Sequence, residues 1–271
     1  MLRDALNTPR EAGWLRFVCL ADTLGHHASV PLIPADVLLF AGNLTNSGGL
    51  NQIAAFSSWL ETYPAARKVL VAGSQDVTFD AQFYNLHWRR FHLKRQEAEL
   101  AVSTILECRD AIYLENSSVD VAGLHLFGTP CSVGALSTTG AFAGNAGQWA
   151  RIPEGVDVLV THGAAVRMGP SCCVLGTSSS VLSVKALDDD LLTQIQQRAM
   201  PAVHVCGNAP KEYGVTTDGT TLFVNACICR PDLKPTNLPI VFEMYVESDF
   251  EREARRSEVL CSLIDEHHIR R

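Results

Sequence analysis

The chain has 271 residues, 47% of them hydrophobic and 19% charged, with 29 acidic side chains against 22 Lys and Arg and a formal net charge of −7. That much apolar material excludes a disordered chain, and 19 Gly and 12 Pro are too few for a collagen-like or low-complexity one. The acidic balance argues against a phosphate-backbone partner, whose recognition rests on clustered Lys and Arg releasing counterions, so nucleic acid is not expected.

A chain of this length can bury roughly three quarters of its unfolded surface, enough for one globular core. The nearly uncharged run from about Met168 to Leu182 is rich in Ser, Gly, Thr and Pro. It is shorter than the roughly 20 apolar residues of a membrane helix, so no membrane contact is expected. Nine cysteines, an odd number, do not form a disulfide framework. Cys19, Cys206, Cys227 and Cys229 sit in apolar runs as small hydrophobes. An intracellular, reducing compartment follows, with the cytoplasm as the expected location. Met1-Leu2-Arg3 begins like a presequence, but Asp4 and Glu11 interrupt any basic amphipathic helix, which leaves mitochondrial import open as the second location.

In chain order, short apolar runs ending in Gly or a polar turn predict strands. They are Arg16 to Ala21, Asp36 to Ala41, Lys68 to Ala72, Ala111 to Leu114, Leu124 to Phe127, Asp157 to Val160, Ala202 to Cys206, Thr221 to Asn225 and Ile240 to Val246. Without strict alternation, such runs imply strands covered on both faces. Asn51 to Thr62 places Ile53, Phe56, Trp59 and Leu60 on one helical face, and Leu187 to Met200 does the same with Leu191, Leu192, Ile195 and Ala199. Asn116-Ser117-Ser118 and Thr217-Asp218-Gly219-Thr220 each read as a hairpin turn, so antiparallel pairs are expected beside parallel ones. Cys131 to Gln148 reads as a long loop of the kind that carries a site or a contact surface. The expected division is one domain over 1–247 and a charged C-terminal helix or tail over 248–271, where Val259, Leu260, Leu263 and Ile264 form a narrow apolar stripe.

Side chains at the C-terminal ends of strands face the ligand crevice of α/β sheets. Five of these ends are Ala21-Asp22-Thr23-Leu24, Ala41-Gly42-Asn43-Leu44-Thr45, Gly73-Ser74-Gln75-Asp76, Val160-Thr161-His162-Gly163 and Cys206-Gly207-Asn208-Ala209-Pro210. Their order resembles the calcineurin-like metallophosphoesterases, whose blocks read D-x-H, G-D, G-N-H-[DE], T-H-G and G-H-x-H. The metallophosphoesterase-domain-containing subfamily is the nearest, and the likeness runs from about Arg16 to Val241. Tyr213-Gly214-Val215, Asp218-Gly219-Thr220-Thr221, Val224-Asn225-Ala226 and Asn237-Leu238-Pro239-Ile240-Val241 resemble the segment that closes the domain. The resemblance implies an α/β fold, a four-layer α/β/β/α sandwich with mixed sheets. It also implies a two-metal site that clamps a phosphate and activates a water for in-line attack.

The residues depart from that pattern where the metals would bind. Asp22 matches the first aspartate, but Leu24 replaces the following histidine and Asn43 the bridging carboxylate. Ser74 replaces the metal-binding asparagine, and Gln75 replaces the histidine that protonates the leaving group, a role glutamine cannot fill because it does not titrate near neutral pH. Asn208 and Pro210 occupy the last two histidine positions, while His162 is retained. Of the ligands in the pattern only Asp22 and His162 survive in kind, so no catalytic residue and no metal cofactor are expected. At most a weakly bound Mn, Fe or Zn ion is expected. His26, His27, His204 and Cys206 are not placed to substitute, and Asp76, Asp80, Thr161 and Asn225 are expected to cap or tie loops. The expected function is that of a pseudoenzyme, a binding or structural component with protein partners in a larger assembly. The alternatives are a phosphate- or nucleotide-binding domain that does not hydrolyse its ligand, using loop amides near Gly42, Gly73, Gly163 and Gly207, and a weak phosphoesterase working through Asp22, Asn43, His162 and Asn208.

Overall fold

The computed structural model describes residues 13–133, 140–144, 146–167 and 184–246. The expectations for the first residues, for Met168 to Leu182, for the tail 248–271 and for the middle of the loop after Val133 lie outside the described residues.

The strands, in chain order, are β1 Trp14–Leu20, β2 Ala35–Ala41, β3 Ala65–Val71, β4 Ala111–Tyr113, β5 Ser117–Val121, β6 Leu124–Thr129, β7 Val158–Thr161, β8 Val166–Arg167, β9 Lys185–Ala186, β10 Val203–Cys206, β11 Gly214–Thr217, β12 Leu222–Asn225 and β13 Ile240–Tyr245. The helices are α1 Leu50–Thr62, α2 Ala81–His87, α3 Leu100–Leu106 and α4 Asp189–Gln194, the last running on into a π-helical turn, Ile195–Ala199. One sheet has the order β13-β1-β2-β3-β4 and a second β11-β12-β10-β7-β6-β5. Central strands pair in parallel; β13, β11 and β5 add antiparallel edges. Every apolar run read from the sequence coincides with one of these strands.

Alternation along the strands builds the layers. Phe17, Cys19, Val37, Leu39, Val69 and Val71 face Leu126, Val158, Val160, Val203, Val205 and Val224 between the sheets. The opposite residues of the first sheet, Val18, Leu20, Leu38 and Phe40, pack on Ile53, Phe56 and Leu60 of α1 and on Ala101 and Ile105 of α3. On the outer face of the second sheet, Phe127, Leu159 and Phe223 meet Trp149, Leu191, Leu192 and Ile195. The result is the expected helix–sheet–sheet–helix sandwich. Trp59 lies at the margin of the α1 face, against His27 and Tyr63.

The first expected hairpin is corrected. Asn116 does not join paired strands, because β4 belongs to the first sheet and β5 to the second, so residues 114–116 cross between sheets. The tight turn is Ala122-Gly123, both residues at positive φ (50° and 87°), which is what a two-residue turn between β5 and β6 requires. Alanine pays about 1 kcal/mol to stand there, so sequence does not flag it. The second hairpin is as read: Asp218 Oδ1 accepts from the Thr220 and Thr221 amides, and Gly219 has φ 94° between β11 and β12.

Candidate functional site

Parallel strands β1, β2, β3, β7 and β10 deliver their C-terminal loops to one edge of the sandwich, and four residues there adopt left-handed backbone conformations. They are Asp22 (φ 52°), Leu24 (φ 48°), Asn43 (φ 55°) and Asn208 (φ 56°). Each non-glycine residue held this way costs about 1–2 kcal/mol, and the surroundings must fix it. They do: the Asp22 amide donates to Gly42 O (2.9 Å), the Leu24 amide to Asn43 O (3.1 Å) and the Gly207 amide to His162 O (3.2 Å).

Asp22 is buried, and both of its carboxylate oxygens are engaged by the protein. Asn43 Nδ2 donates to Oδ1 (2.6 Å), while the Asn208 amide (2.7 Å) and Cys227 Sγ (2.8 Å) approach Oδ2. The Asn43 side chain is oriented by its second bond, in which Oδ1 accepts from the Gln75 amide (2.8 Å). A flipped amide would set oxygen against oxygen and nitrogen against nitrogen. The –NH2 group, not a lone pair, therefore points at Asp22.

His162 is fully buried. Its Nδ1 bonds Ala41 O (2.9 Å), and its Nε2 has no partner among the described residues. The ring is boxed in: a Cβ at Gly42 would lie 2.4 Å from His162 Nδ1, and one at Gly73 would lie 2.7 Å from Cε1 and 2.4 Å from the Asn43 amide nitrogen. Ser74 is buried with its carbonyl accepting from the Ala141 amide (3.1 Å), and Gln75 is half-buried. Beneath the loops, Asp76 is wholly buried and accepts from the Leu44, Thr45 and Gly73 amides and from Thr45 Oγ1. Burial still raises its carboxyl above the usual range, with these bonds opposing the shift.

All the residues singled out from the sequence, Asp22, Asn43, Ser74, Gln75, His162 and Asn208, thus belong to one edge of the sandwich. The other described residues weighed from the sequence have partners or surroundings of their own. His27 is buried against Phe56 and Trp59, and burial, then the neighbouring His26, lowers its pKa. His204 lies in the core, Nε2 against Thr161 Oγ1 (2.7 Å), and burial lowers its pKa to about 3. Burial raises the Cys206 thiol, the Asp22 charge adding to the shift. Asp80 caps α2 through the Phe83 amide, and Asn225 holds Ala209 O. Sequence reasoning missed the Cys227 contact, because nothing local links that thiol to a carboxylate 205 positions away.

Two metals need anionic oxygens and imidazole nitrogens converging with free lone pairs. Here Asn43 presents a donor, Asp22 already accepts from three neighbours, and His162 offers a single nitrogen. Among the described residues no three His, Cys, Asp or Glu side chains converge as a metal cluster. The residues present do not fit a binuclear centre.

No family model matches the chain. It is 33% identical over 251 residues to Metallophosphoesterase domain-containing protein 1 of Homo sapiens, covering 88% of this chain and 73% of that protein. It is 31% identical over 258 residues to the UPF0046 protein T07D4.2 of Caenorhabditis elegans, covering 89% of this chain and 63% of that one. Among solved structures, TT1561 of Thermus thermophilus superposes with a TM-score of 0.52 at 13% identity, over 78% of this chain and 88% of its own, a likeness of fold. The 33% identity shared with the human protein, along most of both chains, means that this chain belongs to the metallophosphoesterase domain-containing protein family.

Proposed function

We propose that this chain is a catalytically degenerate metallophosphoesterase domain that serves as a binding or structural component of a larger protein assembly in a reducing, intracellular compartment. The observation that carries this reading is the Asn43 Nδ2–Asp22 Oδ1 hydrogen bond, 2.6 Å long. An amide donor stands where a bridging carboxylate would have to accept a cation. Gln75, in the place of a titrating group, cannot protonate a leaving group, while the buried free thiols of Cys19, Cys206, Cys227 and Cys229 suit a reducing compartment.

Elemental analysis of the purified protein and turnover of bis(p-nitrophenyl) phosphate with added Mn2+ test the loss of chemistry. The expected result is no stoichiometric metal and no turnover. About two Mn, Fe or Zn per chain, or activity lost on Asp22→Ala and on His162→Ala, would overturn it in favour of a weak metal-dependent phosphoesterase. The native mass of the chain, tagged at its endogenous level, tests the assembly: a chain running alone at monomer mass removes that part. A second reading, a phosphate- or nucleotide-binding cleft without hydrolysis, is favoured by the unpartnered Nε2 of His162 and is tested by calorimetry with inorganic phosphate and AMP on the wild type and His162→Ala.

A further inference from the structure

The acidic chain carries one concentrated cationic stretch. From Ala81 to Gln96 there is no Asp or Glu, but there are Arg89, Arg90, Lys94 and Arg95, with His87 and His92 between them. This stretch covers α2, a 3-10 turn at Trp88–Arg90 and the loop that leads to α3. Two large apolar side chains on it face water, Leu86 at 75% exposure and Leu93 at 103%. None of the ion pairs among the described residues involves Arg89, Lys94 or Arg95. Exposed leucines beside Arg89, Lys94 and Arg95, which no ion pair among the described residues neutralises, mark a contact surface.

The stretch is held rigidly. Tyr84 is fully buried; its hydroxyl accepts from the Gln96 amide (2.9 Å) and bonds His92 Nδ1 (2.8 Å), pinning both ends of the loop. Phe83, Trp88 and Phe91 pack their inner sides on Val77, Tyr84, Ala98 and Ala141. The Arg89 guanidinium lies 4.5 Å from the Trp88 ring centre and that of Arg90 5.5 Å from Phe91. A surface so ordered loses little conformational entropy on binding.

We propose that Leu86, Trp88, Arg89, Leu93, Lys94 and Arg95 form a docking surface for an acidic segment of a protein partner that carries apolar side chains among its carboxylates. The charge of the whole molecule selects this occupant. An anionic membrane or a long nucleic acid would lie against the rest of a body with net charge −7, whereas a short peptide stays within about 10 Å of the cations, the reach of unscreened charge at moderate salt. Leu86 and Leu93 supply the apolar anchors that carboxylates alone would not use. The inference rests on the reading of the chain as a binding component and names the chemistry of its partner.

The test is fluorescence anisotropy with the full chain and a short labelled peptide in which Leu residues are set among Glu and Asp. The expected result is saturable binding, weakened about tenfold or more by Lys94→Glu with Arg95→Glu, and also weakened when Ser replaces Leu in the peptide or at Leu93. Melting curves of these surface variants are expected to overlay the wild type. The proposal is overturned if the peptide does not bind, if the charge reversal leaves binding unchanged, or if phosphatidylserine vesicles or oligo-dT bind the patch while the peptide does not. Each of these results leaves the metal and turnover assays untouched, so this surface and the loss of chemistry fail separately.

Discussion

Asn43→Asp isolates the contact on which the functional reading turns. The left-handed backbone at this position suits Asp as well as Asn, and the Gln75 amide keeps an oxygen to donate to, so the change falls on the 2.6 Å contact with Asp22. Two ionised carboxylates at that separation repel by about 6 kcal/mol at an effective dielectric constant of about 20. Keeping one proton between them at pH 7, on a group whose unfolded pKa is about 4, costs about 4 kcal/mol at 1.4 kcal/mol per pH unit. The smaller cost prevails, so the folded variant retains the proton, and the resulting O–H replaces the amide donor. The folded pKa of the pair then lies above the unfolded value. The variant therefore matches the wild type below about pH 4 and loses about 1.4 kcal/mol for each unit above it. Urea unfolding of both proteins at pH 4.5, 6 and 7.5 measures this directly. A cation can take the place of the shared proton, so Mn2+ is expected to restore part of the variant's stability and none of the wild type's. A stability difference independent of pH, or below about 1 kcal/mol at pH 7, would refute the reasoning.

Three further outcomes follow from the packing. His204, with a folded pKa of about 3 against an unfolded value near 6.5, contributes stability above pH 6.5 that is lost as the pH falls, about 3 kcal/mol by pH 4.5. His204→Gln, which can still donate to Thr161, is expected to flatten that acid limb by one proton; an unchanged limb in urea titrations would show that His204 is not its source. Gly73→Ala drives a Cβ to 2.4 Å from the Asn43 amide nitrogen and 2.5 Å from Asn43 Oδ1, and is expected to cost about 3 kcal/mol or more. Gly155→Ala meets nothing within 4 Å and bears only the strain of φ +73°, about 1 kcal/mol, so equal losses at the two sites in calorimetry would contradict the close-approach argument. Burial pushes Cys131 up to about 12 and Cys108 and Cys229 to about 11, with Cys206 and Cys227 driven up as well. Native protein at pH 8 should therefore react with a disulfide reagent at these positions at least about 100-fold more slowly than unfolded chain, and prompt labelling of Cys206 or Cys227 by mass mapping would count against this site geometry.

The sandwich was legible because strands covered on both faces must be apolar throughout, and such runs stand out in a sequence. The edge strands of the second sheet did not stand out. β5 and β11 alternate and carry Ser, Thr and Asp, and the Ala122-Gly123 turn lacks the Asn or Asp that usually announces a two-residue hairpin. At the site, the loop residues could be named from their order. What those side chains do instead was not legible: Asn43 bridging Asp22 to Gln75, Cys227 reaching Asp22 and Asp76 gathering four donors all join segments far apart in sequence. No local pattern encodes such pairings.

The left-handed residues Asp22, Leu24, Asn43 and Asn208 hold the loop shapes through main-chain bonds, one of which ties the Leu24 amide to Asn43 O, without help from any side chain at position 24. A leucine at φ 48° has no local reason to be there, so its strain is borne by the framework. The loops are consequently a chassis that tolerates exchange of its fittings. Side-chain replacements at these positions alter chemistry while the backbone stays fixed, so the distance between a metal-free and a metal-binding set of loops is measured in substitutions rather than in refolded loops.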